Sequence, residues 1–325
     1  MYHKVRKDEK YDSMIEYKNG IHISGTNLWL DSRDPQDMCF ISHAHIDHLG
    51  SHSTIITSRP TAQFYEQRMR RTNTIVLDYN QPYTLEKMEI ELFPAGHMLG
   101  SAQILIKKDS TRIIYSGDIK LKKGLTAEEI EFKKADILIM EATYGNPKYL
   151  FPDRMVVINQ LCDEIDEILH AGSVPVLVAY SLGKGQEISK ILGDKGYTLV
   201  LHNTIFDLLQ TYETNGISFL NYEKYTSATM LAEKVVIVPP YVITSNKIKN
   251  IQRKKTILLS GWACDTDKIK DPVDRVFPLS DHADFNELLE YVRQVNPKRI
   301  YVTHGDPHFV DYLSRIGYEA SFLGS

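Results

Sequence analysis

Four residues able to bind a divalent metal crowd into one loop, Ser42-His43-Ala44-His45-Ile46-Asp47-His48-Leu49-Gly50. Imidazole nitrogens and a carboxylate suit a borderline cation such as zinc, and their alternation lets one loop direct ligands into two adjacent sites. Three further candidates follow short apolar runs and have small neighbours: His97 in Pro94-Ala95-Gly96-His97-Met98-Leu99-Gly100-Ser101-Ala102, Asp118 in Ser116-Gly117-Asp118, and His304 in Thr303-His304-Gly305. Glycine beside a ligand lets the backbone turn sharply and approach the site closely. Each of the three would pass alone for an ordinary core or surface residue. Added to the first loop, they supply the ligands that two zinc ions require.

The residues around these candidates must fold so as to bring them together. From 38 to 141 the chain alternates short β-rich runs with loops, at 38–42, 54–57, 74–77, 88–93, 102–107, 112–115 and 135–140. The run at 88–93 alternates apolar and acidic residues, as a strand with one wet face does, whereas 137–140 is continuously apolar and suits a buried strand. Beyond Glu141 long helical patterns separate single strands: helices are expected at 154–170, 184–192 and 203–214, with strands at 174–179, 197–201 and 235–238. The C-terminal end returns to a strand at 299–303 between helices at 285–295 and 307–316, able to complete the first layer system.

Composition narrows the class without naming it. The 325 residues are 42% hydrophobic and 25% charged, enough for a substantial core, with a formal net charge of −4. A net negative chain binds polyanions only through a local basic or metal-charged cleft. Clusters such as Arg68, Arg70, Arg71 and Lys247, Lys249, Arg253, Lys254, Lys255 could contact a nucleic-acid backbone, although solvated faces are the commoner role. No apolar stretch approaches the roughly 20 residues that cross a bilayer. The basic N-terminal stretch MYHKVRKDEKYDSM has no apolar segment behind it, so a cytoplasmic location without membrane contact is expected. Cys39, Cys162 and Cys264 form no CxxC pair and read as buried small hydrophobes in a reducing compartment. Ser181-Leu182-Gly183-Lys184-Gly185 puts glycines and a cation before a helix, where backbone amides could receive a phosphate, though a plain strand-to-helix turn accounts for it more simply.

In order and spacing, HxHxDH, GHMLGSA, SGD and the terminal HG resemble the successive motifs of the metallo-β-lactamase superfamily. That resemblance implies that His43, His45 and His97 hold one zinc, that Asp47, His48 and His304 hold the other, and that Asp118 bridges both, giving two Zn2+ per chain. Asp31, after Leu28-Trp29-Leu30, resembles the early aspartate that supports the ligand loop; by itself it reads equally as a turn residue. Met140-Glu141-Ala142-Thr143-Tyr144-Gly145 and Leu279-Ser280-Asp281-His282-Ala283-Asp284 resemble the additional acidic and histidine motifs of the β-CASP nucleases. The stretch from Val174 to Glu187 is similar to the start of that family's cap, so the resemblance covers nearly the whole chain. A phosphodiester hydrolase needs an activated hydroxide and a proton donor for the departing sugar oxygen. His282 suits the donor, Glu141 could orient it, and Asp47 and Asp118 complete the expected catalytic set.

The expected fold is α/β: a four-layer αββα sandwich from residues 1–149 and 272–325, with an inserted βα cap at 150–271 and the substrate entering between them. The expected function is a zinc-dependent phosphodiesterase acting on nucleic acid. FPLSDHADF and LIMEATYG resemble the ligase-associated DNA exonuclease branch, which implies DNA as substrate and a DNA ligase or other repair proteins as partners. His304 instead resembles the RNA-type enzymes, since DNA-type members usually carry valine there. An RNA exo- or endonuclease of the mRNA 3′-end processing type is therefore the alternative. A small-molecule hydrolase of lactams or thioesters has only the zinc motif behind it, and a non-catalytic binding subunit should have lost ligands that are all present here.

Overall fold

A computed structural model describes residues 9–18, 20–270 and 272–323; the basic residues of 1–8 noted above lie outside the described residues. Three sheets form. The first runs Ile15–Tyr17, Ile21–Ile23, Leu28–Leu30, Met38–Phe40, Thr54–Thr57, Asn73–Val76, antiparallel over its first three strands and parallel thereafter. The second is ordered Ala320–Phe322, Arg299–Gly305, Ile137–Ala142, Thr111–Tyr115, Ala102–Lys108, Met88–Pro94, Tyr83–Leu85. Its strands from the two ends of the chain are joined by a parallel pairing between Ile137–Ala142 and Arg299–Gly305.

Burial shows why these two sheets face each other. Ile23, Leu28, Phe40 and Ile56 of the first sheet and Ile90, Leu92, Ile104, Ile113 and Ile139 of the second are fully buried in one shared cluster. The opposite face of the second sheet packs Leu105, Leu138, Met140 and Val302 against Leu288, Val292, Phe309 and Leu313 from helices Phe285–Val295 and His308–Arg315. The outer face of the first sheet meets Tyr65 of helix Arg59–Arg68. That is the αββα layering expected from the sequence.

The third sheet, Tyr222–Lys224, Leu199–Leu201, Val235–Val238, Val174–Val178, Lys254–Leu259, Arg275–Phe277, is parallel throughout. Its buried runs such as Val235–Val238 are continuous apolar β-branched residues, as both-face burial demands. Arg275–Phe277 pairs with Lys254–Leu259, so the inserted sheet continues beyond the limit of 271 expected from the sequence. The short strand has one exposed and two half-buried residues and carries no apolar run to announce it.

Candidate metal centre

Every candidate ligand stands at the C-terminal edge of a strand of the first or second sheet. The His43–His48 loop follows Met38–Phe40, His97 follows Met88–Pro94, Asp118 follows Thr111–Tyr115, and His304 is near the end of Arg299–Gly305. Backbone ladders there have given out, so side chains from several strands converge on one crevice, the usual location of sites on open sheets.

Asp118 is the hub. Its Oδ2 lies 3.4 Å from His43 Nε2, 3.5 Å from His48 Nε2 and 3.8 Å from His97 Nε2, and its Oδ1 is 3.2 Å from His304 Nε2. Potential ligand atoms of His43, His45, His97 and Asp118 all lie within 4.8 Å of one another, and so do those of His48, Asp118 and His304. Two groups thus share one carboxylate. Asp47 is the outlier: its carboxylate is 70% exposed and stands 3.7 Å from His48 Nε2, beside the second group and outside its compact set.

The ring nitrogen that each histidine turns away from Asp118 is already engaged. Nδ1 of His48 bonds Asp31 at 2.7 Å, Nδ1 of His97 bonds the Asp281 carbonyl at 2.7 Å, and Nδ1 atoms of His43 and His304 meet Ser42 Oγ and Thr303 Oγ1, each at 2.9 Å. His45 is reversed, with Nε2 on the Leu182 carbonyl at 3.0 Å and Nδ1 toward His97. Metal-binding histidines are held this way, one nitrogen fixed by a neighbour and the other presented to the ion. Asp31 also accepts from the Ser42 amide at 2.7 Å and from the Tyr115 hydroxyl at 2.8 Å. It therefore supports the loop instead of facing the focus.

The donor set fits a cation on a separate ground. Among the described residues, buried His43 Nε2 has no hydrogen-bond partner, which costs roughly 1–3 kcal/mol unless something else satisfies it. Burial, reinforced by His48, holds His43 well below the ordinary histidine value; burial and then His97 bring His45 to about 4; burial and then His282 lower His97. All three are thereby neutral, the form a metal takes. Asp118 stays ionised: burial works against its charge, but His48, His282 and His43 hold it well below the carboxylate range.

Beside this focus stands a second construction. His282 Nδ1 is 3.1 Å from both carboxylate oxygens of Glu141, and its Nε2 is 4.0 Å from Asp118 Oδ2. Glu141 is itself fixed by the Ile119 amide at 2.7 Å and by Thr143. The ladder with Arg299–Gly305 slips between Met140 and Ala142, an irregularity of the bulge kind that re-aims a side chain at a strand end. Gly305 makes that approach possible: at φ 116°, a Cβ there would sit 1.9 Å from the Ala142 carbonyl oxygen.

Burial lowers the His282 pKa, but Glu141 and then Asp118 outweigh it and raise the value to about 9. In the metal-stripped chain this pair contributes stability that is fully present below the unfolded value of about 6.5 and fades as pH rises through about 9. The stability difference between wild type and His282→Asn, read from denaturant melts in the presence of a chelator, should therefore be largest at pH 6 and shrink toward pH 9. A gap that stays constant or widens would contradict the pairing.

Other sequence candidates go elsewhere. Lys184 is buried and 3.0 Å from Asp281, so the Ser181–Gly185 turn offers no free cation to a phosphate. Arg68 donates to the Ala44 carbonyl and braces the ligand loop, while Lys255 and Arg253 are tied to Asp274 and the Ala171 carbonyl. Of the cysteines Cys39 is buried, whereas Cys162, on helix Arg154–His170, and Cys264, in the helical turn Gly261–Cys264, are only half-buried. Helix Phe285–Val295 is capped by Asp284 with Glu287, so His282 stands ahead of the cap, at the crevice. Sequence reasoning missed Tyr115, whose hydroxyl holds Asp31, and Lys120 and Trp262, which line the recesses beside His282 and His304. Lys120 follows Asp118 by two residues, and that spacing was the available signal; Trp262 had none.

Residues 26–172 match a β-lactamase superfamily domain and residues 271–321 match a Zn-dependent metallo-hydrolase RNA specificity domain. A probable DNA ligase of Opitutus terrae is 36% identical over 95% of this chain, which spans only 31% of that protein. A probable RNase of Methanocaldococcus jannaschii is 26% identical over 83% of the chain and 82% of its own length. A DNA cross-link repair protein of Arabidopsis thaliana is 24% identical over 81% of the chain and 60% of its own length.

Proposed function

The chain belongs to the metallo-β-lactamase superfamily, in its β-CASP nuclease family, and from that premise we propose a two-zinc phosphodiesterase that acts as a DNA exonuclease. The observation that carries the reading is the pair of ligand groups sharing Asp118, with the Glu141–His282 couple 4.0 Å away. His43, His45, His97 and Asp118 would hold one ion; His48, His304, Asp118 and the neighbouring Asp47 would hold the other. Bound zinc supplies Lewis acidity to a phosphoryl oxygen and makes water nucleophilic at neutral pH.

The chain's own residues account for the rest. Glu141 anchors Nδ1 of His282, so Nε2 is the nitrogen turned to the crevice and able to give its proton to a departing sugar oxygen. On the other side of His304 opens a cavity of about 500 Å³ lined by Tyr149, Trp262 and Lys268, with Lys148 there paired to Asp265. On the His282 side Lys120 and Lys122 line a smaller recess, beside Arg154, which is held by Glu187. Aromatic faces receive bases and cations receive phosphates, which a strand uses and a lactam does not. The segment from about 150 through Phe277 acts as the cap that closes over this track.

The relative named as a DNA ligase supports DNA as substrate and a DNA ligase as partner; the relatives named as RNases support the RNA alternative. Purified protein given end-labelled DNA, the same RNA sequence and a chromogenic lactam should degrade DNA from an end, stop when a chelator is added, and leave the lactam untouched. Preferential cleavage of RNA would transfer the protein to the alternative, and lactam turnover without strand cleavage would remove the nuclease reading altogether.

A further inference from the structure

The turn Leu182-Gly183-Lys184 of the inserted segment reaches two of the candidate ligands by separate routes. The Leu182 carbonyl accepts from His45 Nε2 at 3.0 Å, which fixes that ring with Nδ1 toward His97 Nε2, 3.2 Å away. Lys184 takes the second route: its Nζ is 3.0 Å from Oδ1 of Asp281, and the Asp281 backbone carbonyl accepts from His97 Nδ1 at 2.7 Å. Both side chains of the ion pair are buried, at 5% and 8% exposed, and among the described residues no other hydrogen bond satisfies the Asp281 carboxylate.

Between the two contacts stands Gly183, the N-cap residue of helix Lys184–Asp194, at φ 84° and ψ −82°. An L side chain is strained in that conformation, and its Cβ would face Met98, Asp281 Oδ2 and His45 Nε2 at 3.4–3.7 Å. The turn is therefore shaped to lie flat against the ligands. The sandwich supplies the ligands themselves, yet the atoms fixing two of the three histidines in the first group come from, or are pinned by, the inserted segment.

We infer that Leu182 and Lys184 are positioning residues for the ion held by His43, His45 and His97, so that seating of the inserted segment and tightness of that ion are linked. The inference rests on the metal reading above. Partners that orient metal-binding histidines are worth about 10- to 100-fold in affinity. Linkage is reciprocal, so the ion must in turn hold the inserted segment down.

The test is zinc competition against a chromophoric chelator, with wild type, Lys184→Met/Asp281→Asn, Lys184→Arg, and, as a control on the same helix, Lys190→Met, a half-buried lysine paired with Asp194 away from the ligands. The double variant removes both charges together, because an unpaired buried charge would itself endanger folding. Wild type should take up two zinc ions. The folded double variant should bind one of them about 10- to 100-fold more weakly with the other unchanged, Lys184→Arg should recover part of the loss, and the control should match wild type. Cobalt substitution should show an altered visible band for the weakened site alone. In wild type, zinc should also slow amide exchange at 183–187 more than in helix Arg154–His170, a readout that needs no variant. Wild-type affinity in a folded double variant, or zinc uptake that leaves exchange at 183–187 unaltered, overturns the inference. Wild type that binds no zinc refutes the metal reading itself, and this inference with it.

Discussion

Asp118→Ala should strip both ions at once and take strand cleavage down at least about a thousand-fold, to the level of the chelated protein. The size follows from the chemistry removed: metal assistance is worth several kcal/mol, and each 1.36 kcal/mol is tenfold in rate. Its reach follows from geometry, since one carboxylate stands 3.2–3.8 Å from His43, His48, His97 and His304. His45→Ala, which touches only the first group, should lose one ion and keep the other. Metal analysis of the two variants beside wild type gives the result directly. Two zinc ions retained by Asp118→Ala would sink the shared-carboxylate assignment, whatever happened to activity.

His282→Ala should behave differently, keeping both ions and substrate affinity while slowing cleavage of ordinary nucleic acid by about 100- to 10,000-fold, the range for a general acid. Its imidazole is anchored through Nδ1 by Glu141, with Nε2 turned to the crevice. A phosphodiester with a nitrophenolate leaving group needs little protonation as it departs, so the variant should hydrolyse it with a much smaller loss. Equal losses on the two substrates would make His282 a binding residue, and a missing zinc ion would make it a ligand. Both outcomes contradict the acid role.

How much of this was legible depended on length and periodicity. Helices Arg154–His170, Asn203–Thr214 and Phe285–Val295 appear where their apolar repeat placed them. Helix Arg59–Arg68 did not show: it opens on Arg59-Pro60 and is set by Ser58 capping and burial of Phe64 and Tyr65, neither of which is a repeat. Three-residue strands such as Tyr83–Leu85 and Ala320–Phe322 are too short for alternation to register. Lys254–Leu259 was hidden behind its own two lysines, which had read as part of a basic cluster. The candidate ligands could be picked out because their side-chain types are themselves the chemistry. The turn at Leu182 uses a backbone carbonyl, and a carbonyl has no letter in a sequence.

The strand bearing His304 does more than fill a gap in the second sheet. Arg299–Gly305 lies between Ile137–Ala142 and Ala320–Phe322, so the sheet's interior is finished by residues that leave the ribosome more than 150 positions after their neighbour. A nascent chain of 170 residues already carries His43, His45, His97 and Asp118, but neither His282 nor His304. Vectorial synthesis thus delivers most of the candidate ligands first, and the proposed proton donor His282 and the last candidate imidazole His304 at the end. A partly made chain of that length holds most of the candidate ligands but neither the Leu182 turn that fixes His45 nor the residues that finish the crevice.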